Sequence, residues 1–259
     1  MRFVRHQTDH GPAWGVLQGD AVERLAQSPL IELPHGAARP RTERGSLALW
    51  DVSLLAPTCP TKIIGVGRNY PAHAAEHQVA VPEQPLMFLK PPSTVIGPGE
   101  AIRLPALSSR VEHEAELAVV IGRRGYQISP ERALDHVLGY TAANDVTARD
   151  LQRADAQWTR GKGFDTFCPL GPWIETELDL ARVGIRCSVN GELRQQGRLA
   201  EMVFGVEQLV AYISQVMTLE PGDVILTGTP AGVGLLAHGD VVSVEIDGLG
   251  ELSNPVLGA

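Results

Sequence analysis

The sequence predicts a mixed-β fold, a β-rich α+β chain with a small β unit at its N-terminal end. Two observations lead there. The 27 glycines and 19 prolines fall between short apolar runs, the pattern of many strands closed by turns. The clearest helix of the chain is confined to residues 205–217, where Val206, Leu209, Val210, Ile213, Val216 and Met217 recur at three- and four-residue spacing. A chain of 259 residues can bury one sizeable core, or one large domain with a small appendage.

Residues 1–57 read as a small unit of their own. Short β-like runs at Arg2–Arg5, Trp14–Leu17 and Ala21–Leu25 are broken by Gly11-Pro12 and Gly19-Asp20, and His35–Gly45 reads as a polar loop. This stretch carries no evident chemistry, so packing or oligomer contact is its expected role. Residues 58–259 form the richer region. Lys62–Gly67 is an apolar strand whose Gly65-x-Gly67 fails as a dinucleotide fingerprint, because Tyr70 stands where the third glycine belongs. Gly161-Lys162 fails as a P-loop for a like reason: Gly163 replaces the Ser or Thr, and Ala156 the first glycine.

Pro71 followed by alanine-rich sequence predicts a short helix in which His73 and Glu76, three apart, share one face. A carboxylate that holds an imidazole fixes its tautomer and raises its basicity, as a general base requires; the bland reading is a surface pair. Leu86–Pro91 and Thr94–Gly97 read as strands. Val111–Gly122 reads as one strand with Glu112, Glu114 and Glu116 on a single face, so that either a cation sits among them or the face is a solvated edge. Ser129-Pro130 predicts a helix over 130–137. Gly139–Val146 is a strand ending at Asp145, and Thr147–Arg153 a helix after it. Trp158–Pro172 reads as a long surface loop in which Lys162, between two glycines, either reaches into a cleft or is solvated. Ile185–Val189 with Asn190-Gly191 predicts a hairpin. Val224–Gly234 is a strand running into a glycine-rich loop whose N–H groups suit an anion, and Asp247-Gly248 turns the last strand pair.

A formal charge of −8 and a pI near 5.5 argue against nucleic acid or an anionic membrane as partner. No apolar run reaches transmembrane length and the N-terminus lacks a signal-peptide stretch, so a cytoplasmic protein is expected. Cys59, Cys168 and Cys187 are far apart and unpaired in pattern, which predicts reduced thiols in place of zinc ligands or disulfides.

Five motifs in order resemble the fumarylacetoacetate hydrolase family: G-x-G-R-N-Y-x-x-H-x-x-E at 65–76, E-x-E at 114–116, N-D-x-T-A-R-D-x-Q at 144–152, K-G-F-D-T-F at 162–167 and G-T-P-x-G-V-G at 228–234. The resemblance runs from about Lys62 to the C-terminus. It implies a rolled-sheet catalytic domain over 58–259, with 1–57 as the small N-terminal β domain, in a homodimer. It also implies that Glu114, Glu116 and Asp145 ligate a metal. Three carboxylates without His or Cys select a hard cation, Mg²⁺ before Mn²⁺ or Ca²⁺.

By the same resemblance His73 and Glu76 act as general base or acid on a helix closing over the site, and Lys162 supplies positive charge to the developing oxyanion or the substrate carboxylate. Arg149, Gln152, Gly228 and Thr229 contact substrate. Glu112 lies behind the ligands, and His113 stands where many relatives are expected to carry Tyr. The implied activity is Mg²⁺-dependent chemistry on a small 2-oxo acid: C–C hydrolysis, decarboxylation or isomerisation. The implied setting is aromatic catabolism, with enzymes acting on 2-hydroxyhepta-2,4-diene-1,7-dioate nearest in layout. Acylpyruvate hydrolase and oxaloacetate decarboxylase are the alternatives, and a non-catalytic metal- or ligand-binding relative is the reading from another class.

Overall fold

The computed structural model describes residues 1–32 and 40–258. Three sheets account for most of it, as the turn-rich sequence predicts. The largest sheet runs, from one edge, through Thr42–Ala48, Ala21–Leu25, Gly11–Gln18, Arg2–Thr8, Cys168–Glu175, Val137–Asn144, Ala115–Ile121, Val224–Leu226, Ile63–Gly67 and Leu86–Lys90. The N-terminal strands therefore extend the sheet of the larger region, joined where Arg2 and Phe3 pair with Glu175 and Ile174. A five-stranded sheet contains the predicted hairpin Gly184–Val189 and Glu192–Arg198, together with Val241–Ile246, Gly250–Leu257 and Ile102–Arg103.

Alternation explains how Ala115–Ile121 can be buried on both faces. Leu117, Val119 and Ile121 point into the main core beside Ile185, Val242 and Val244 of the five-stranded sheet and Leu209 and Ile213 of the helix Val206–Val216. On the other face Ala118 packs among Ile63, Leu170 and Leu226, and Val120 against Phe3 and Ile174. Burying an aliphatic side chain this completely stabilises by about 1.5–3 kcal/mol each, so the strand is fixed in register from both sides. Glu116 follows Ala118 and Val120 in the alternation and is held in place with them.

Several local expectations are corrected. The run Val111–Gly122 is two strands: Val111–His113 joins a small sheet with Thr147–Ala148 and Gly234–Leu235, while Ala115–Ile121 belongs to the large one. Glu114 sits at the break, and every residue from Val111 to Ile121 is buried, so the solvated-edge reading falls. Ser129 makes no side-chain cap, and Pro130–His136 forms a 3₁₀ helix. The helix after Asp145 begins at Arg149, because Thr147 and Ala148 are taken into pairing with Glu112 and Val111.

Trp158–Pro172 is not a surface loop. Thr159–Lys162 is a short helix, Cys168–Glu175 is a central strand, and Phe167 and Cys168 are fully buried. Within the expected loop His35–Gly45, residues 35–39 lie outside the described residues, and Thr42–Ala48 is a strand paired with Ala21–Leu25. Cys168 and Cys187 are buried, Cys59 is exposed, and all three are free thiols.

Candidate active site

Backbone geometry brings the acidic residues together. Ala115 pairs with Asn144 across the sheet, the Asn144 side-chain oxygen accepts from the Glu114 N–H at 3.0 Å, and the Asp145 N–H donates to the Glu114 carbonyl at 2.8 Å. One oxygen from each of Glu114, Glu116 and Asp145 then lies within 4.8 Å of the others, all three side chains being buried. They face a cavity of about 590 Å³ that also exposes His73, Lys162 and Trp158.

Cations surround the triad. The Lys162 ammonium donates to Glu114 at 2.8 Å and also to Asp145; Lys90 donates to Asp145 at 2.6 Å and to the Val146 carbonyl at 3.2 Å. Arg149 bridges Glu112, at 2.7 Å, and Glu114. Burial disfavours the charge on Glu114, but Lys162 and Arg149 outweigh it and hold the carboxyl well below the usual range. Glu116 differs. Its protein partner is the Gly228 N–H at 2.7 Å, and burial, reinforced by Asp145 and Glu114, pushes its pKa well up. Crowding by Asp145 and Glu114 thus disfavours a third negative charge at Glu116, and a cation among the three carboxylates would relieve that repulsion. The donor set is entirely oxygen, which fits a hard dication and no thiophilic metal.

The predicted helix is present as Pro71–Glu76, with His73 buried on the cavity wall. His73 Nδ1 lies 3.4 Å from Glu76 Oε2, a long contact; a carboxylate there accepts from Nδ1–H and leaves the Nε2 lone pair available. Burial lowers the His73 pKa, which favours the neutral imidazole, the form able to take a proton. Glu76 in turn accepts from the Gly232 N–H at 3.1 Å, tying this helix to the glycine-rich loop.

Arg149 and Gln152 line the cavity, but the guanidinium is engaged by Glu112, Glu114 and the Gln152 side-chain oxygen (2.7 Å). Thr229 lines it too, donating to the Ala115 carbonyl at 2.8 Å. Gly228 lies behind Glu116. Its φ of +99° and the approach of the Asn69 Cβ, 2.7 Å from where a side chain would begin, make it a glycine position. Lys162, expected in a loop, closes the short helix and is 2% exposed. Glu112 is turned to Arg110 and Arg149 and contributes no oxygen to the triad.

Three residues were not anticipated. Lys90 ends an apolar strand, and nothing local marks it as buried against Asp145. Asn69 bonds Phe204 and Thr227 backbone groups and so fixes the turn before the helix. Gln195, on the hairpin, accepts from Ala115 N–H and donates to Thr229 and Pro230, lacing the five-stranded sheet to the glycine loop. His113 contacts that same amide at 2.9 Å, away from the cavity. The apolar and aromatic signals that mark strands say nothing of such long-range polar pairs.

Comparison with known proteins bears on this arrangement. A family model described as Fumarylacetoacetate (FAA) hydrolase C-terminal matches residues 62–257, and a second, Rv2993c-like, N-terminal, matches residues 1–57. The mitochondrial oxaloacetate tautomerase fahd2 of Xenopus laevis is 51% identical, over 99% of this chain and 90% of that one. The crystal structure of 5-carboxymethyl-2-hydroxymuconate delta-isomerase from Mycobacterium smegmatis is 47% identical with a TM-score of 0.91, covering all of both chains. That of 2-hydroxyhepta-2,4-diene-1,7-dioate isomerase from Mycobacterium marinum is 44% identical with a TM-score of 0.90, over 100% of this chain and 98% of that one. No helix among the described residues is long and apolar enough to cross a membrane. By these matches, and by the five motifs that meet in one cavity, the chain is an enzyme and belongs to the fumarylacetoacetate hydrolase family.

Proposed function

We propose that the protein is a Mg²⁺-dependent enzyme that enolises a small 2-oxo carboxylic acid, moving a proton at the carbon beside the carbonyl. The observation that carries this reading is the buried Glu114–Glu116–Asp145 cluster facing the same cavity as the His73–Glu76 pair. Lewis-acid stabilisation of the negative charge that develops on the oxo group is what a dication held by those three carboxylates supplies. The chain's own residues do the rest. His73 takes or returns the proton at Nε2, with Glu76 holding Nδ1–H. Lys162 and Lys90 keep positive charge beside the carboxylates and compensate negative charge arriving with the substrate. Arg149 keeps Glu114 ionised and oriented. Phe88 and Trp158, edge to face at 5.4 Å, wall the cavity with apolar surface and limit its water.

Proton transfer is the preferred branch because the isomerases and the tautomerase among the relatives share that step. The same His–Glu pair is equally suited to activating water, so acylpyruvate hydrolysis is the second reading, with oxaloacetate decarboxylation beside it. A role in aromatic-compound catabolism, a cytoplasmic location, a homodimer and a small N-terminal β domain over 1–57, joined to the larger region through the shared sheet, complete the proposal. Turnover should be measured on oxaloacetate, 2-hydroxyhepta-2,4-diene-1,7-dioate and acylpyruvates, with Mg²⁺ and with EDTA, following enol–keto exchange and solvent deuterium incorporation. Activity that needs Mg²⁺ on at least one substrate supports the reading. A Mg²⁺-loaded protein inert toward all of them would favour a binding module instead.

A further inference from the structure

The helix that carries His73 ends in a second cluster made of different donors. His73, Glu76 and His77 stand at positions i, i+3 and i+4, which places their side chains on one face of a single turn. One ligand atom from each lies within 4.8 Å of the others. The two imidazoles already meet edge to face, with centroids 4.6 Å apart. His77 Nε2 is shielded from solvent and has no hydrogen-bond partner, a buried polar atom without the interaction that its environment calls for. The Gly232 N–H steadies the Glu76 carboxylate while leaving lone pairs on both oxygens.

Two imidazoles and one carboxylate, with a fourth position open to water, form the donor set of a zinc site and suit Mg²⁺ poorly. The Glu114–Glu116–Asp145 set has the opposite preference. We propose that His73, Glu76 and His77 form a Zn²⁺ site distinct from the carboxylate triad, and that Zn²⁺ bound there inhibits the enzyme by engaging His73. The inhibition rests on the proton-transfer role proposed above for His73; the binding does not. Two cations of different hardness are thereby sorted by two neighbouring donor sets, and excess Mg²⁺ does not relieve the inhibition.

The test is calorimetric titration of Zn²⁺ into protein saturated with Mg²⁺, for the wild type, His77→Gln and Glu116→Gln, with Co²⁺ visible absorption as a second readout of a nitrogen-containing site. One equivalent should bind the wild type. His77→Gln should lose at least tenfold in Zn²⁺ affinity while keeping its Mg²⁺ affinity, which also reports that it folds, and Glu116→Gln should bind Zn²⁺ as the wild type does. Zn²⁺ affinity unchanged by His77→Gln, loss of the site in Glu116→Gln, or no Zn²⁺ uptake at all would each overturn the site. Where turnover is measurable, Zn²⁺ should suppress it in the wild type and spare His77→Gln; binding without suppression would overturn the inhibitory role. Absence of turnover on every substrate would instead strike the functional reading and leave the calorimetric answer intact.

Discussion

Two sets of ion pairs in this molecule each join one cation to a glutamate and an aspartate, in opposite surroundings. Lys162 meets Glu114 and Asp145 with side-chain exposures of 2%, 5% and 1%, whereas Arg186 meets Glu245 and Asp247 on the outer face of the five-stranded sheet with 34%, 53% and 48%. In water the second set gains little, since solvent and salt screen it. In the first set desolvation is large and each charge is tolerable only because its partner is present. A chain selected for stability alone would do better with apolar side chains at 114, 145 and 162. Keeping charges there points to chemistry, and the contrast between the two sets separates function from solubility without reference to any motif.

That contrast can be broken at several points. The largest effect is expected from Lys162→Met, which leaves Glu114 and Asp145 buried without their shared cation. Urea unfolding in EDTA should show a loss of about 3–5 kcal/mol, partly recovered on adding Mg²⁺. A loss near that of a surface lysine would mean the pocket is wetter than its burial implies. Next, His73→Ala should lower turnover by about 10²–10⁴-fold while leaving Mg²⁺ affinity unaltered, because His73 touches none of the three triad carboxylates. Metal affinity lost in that variant would remove the division of labour proposed here.

A subtler effect concerns pH. Burial, then Asp145 and Glu114, raise the Glu116 pKa, so below that raised pKa a cation competes with a proton. Mg²⁺ affinity should therefore fall as pH drops below that raised pKa and level off above it, with proton release seen as buffer-dependent heat in calorimetry. Pure pH-independence across the acid range would show that Glu116 is already ionised. The smallest effect belongs to Arg186→Ala, at about 0–1 kcal/mol and fading with added salt. A larger loss, measured by the same unfolding curves, would erase the distinction between the two sets.

The strands, the helix at 206–216 and the hairpin at Asn190-Gly191 were readable because alternation and turn residues are local signals. The triad's members stood out singly, two of them two apart in an otherwise apolar run and the third at a strand end, but only the family resemblance joined them into one set. Lys162 was left open by its local sequence and singled out by the resemblance: the glycines beside it suggested a loop, while Gly161 packs close against Gln152 in a short helix. Lys90, Asn69 and Gln195 act through partners 34 to 158 residues away, which no windowed pattern reports. The break at Glu114 was equally silent, since a β-prone sequence does not reveal where a strand changes sheets.

That break has a mechanical consequence. On one side of Glu114 the backbone is tethered to the three-stranded sheet through Val111 to His113, and on the other to the large sheet through Ala115 onward. The two glutamates behave like the arms of a caliper whose pivot lies between layers. Any slippage of one layer past the other would alter the gap between the carboxylates, so distant substitutions in either layer acquire a route to the grip on a cation.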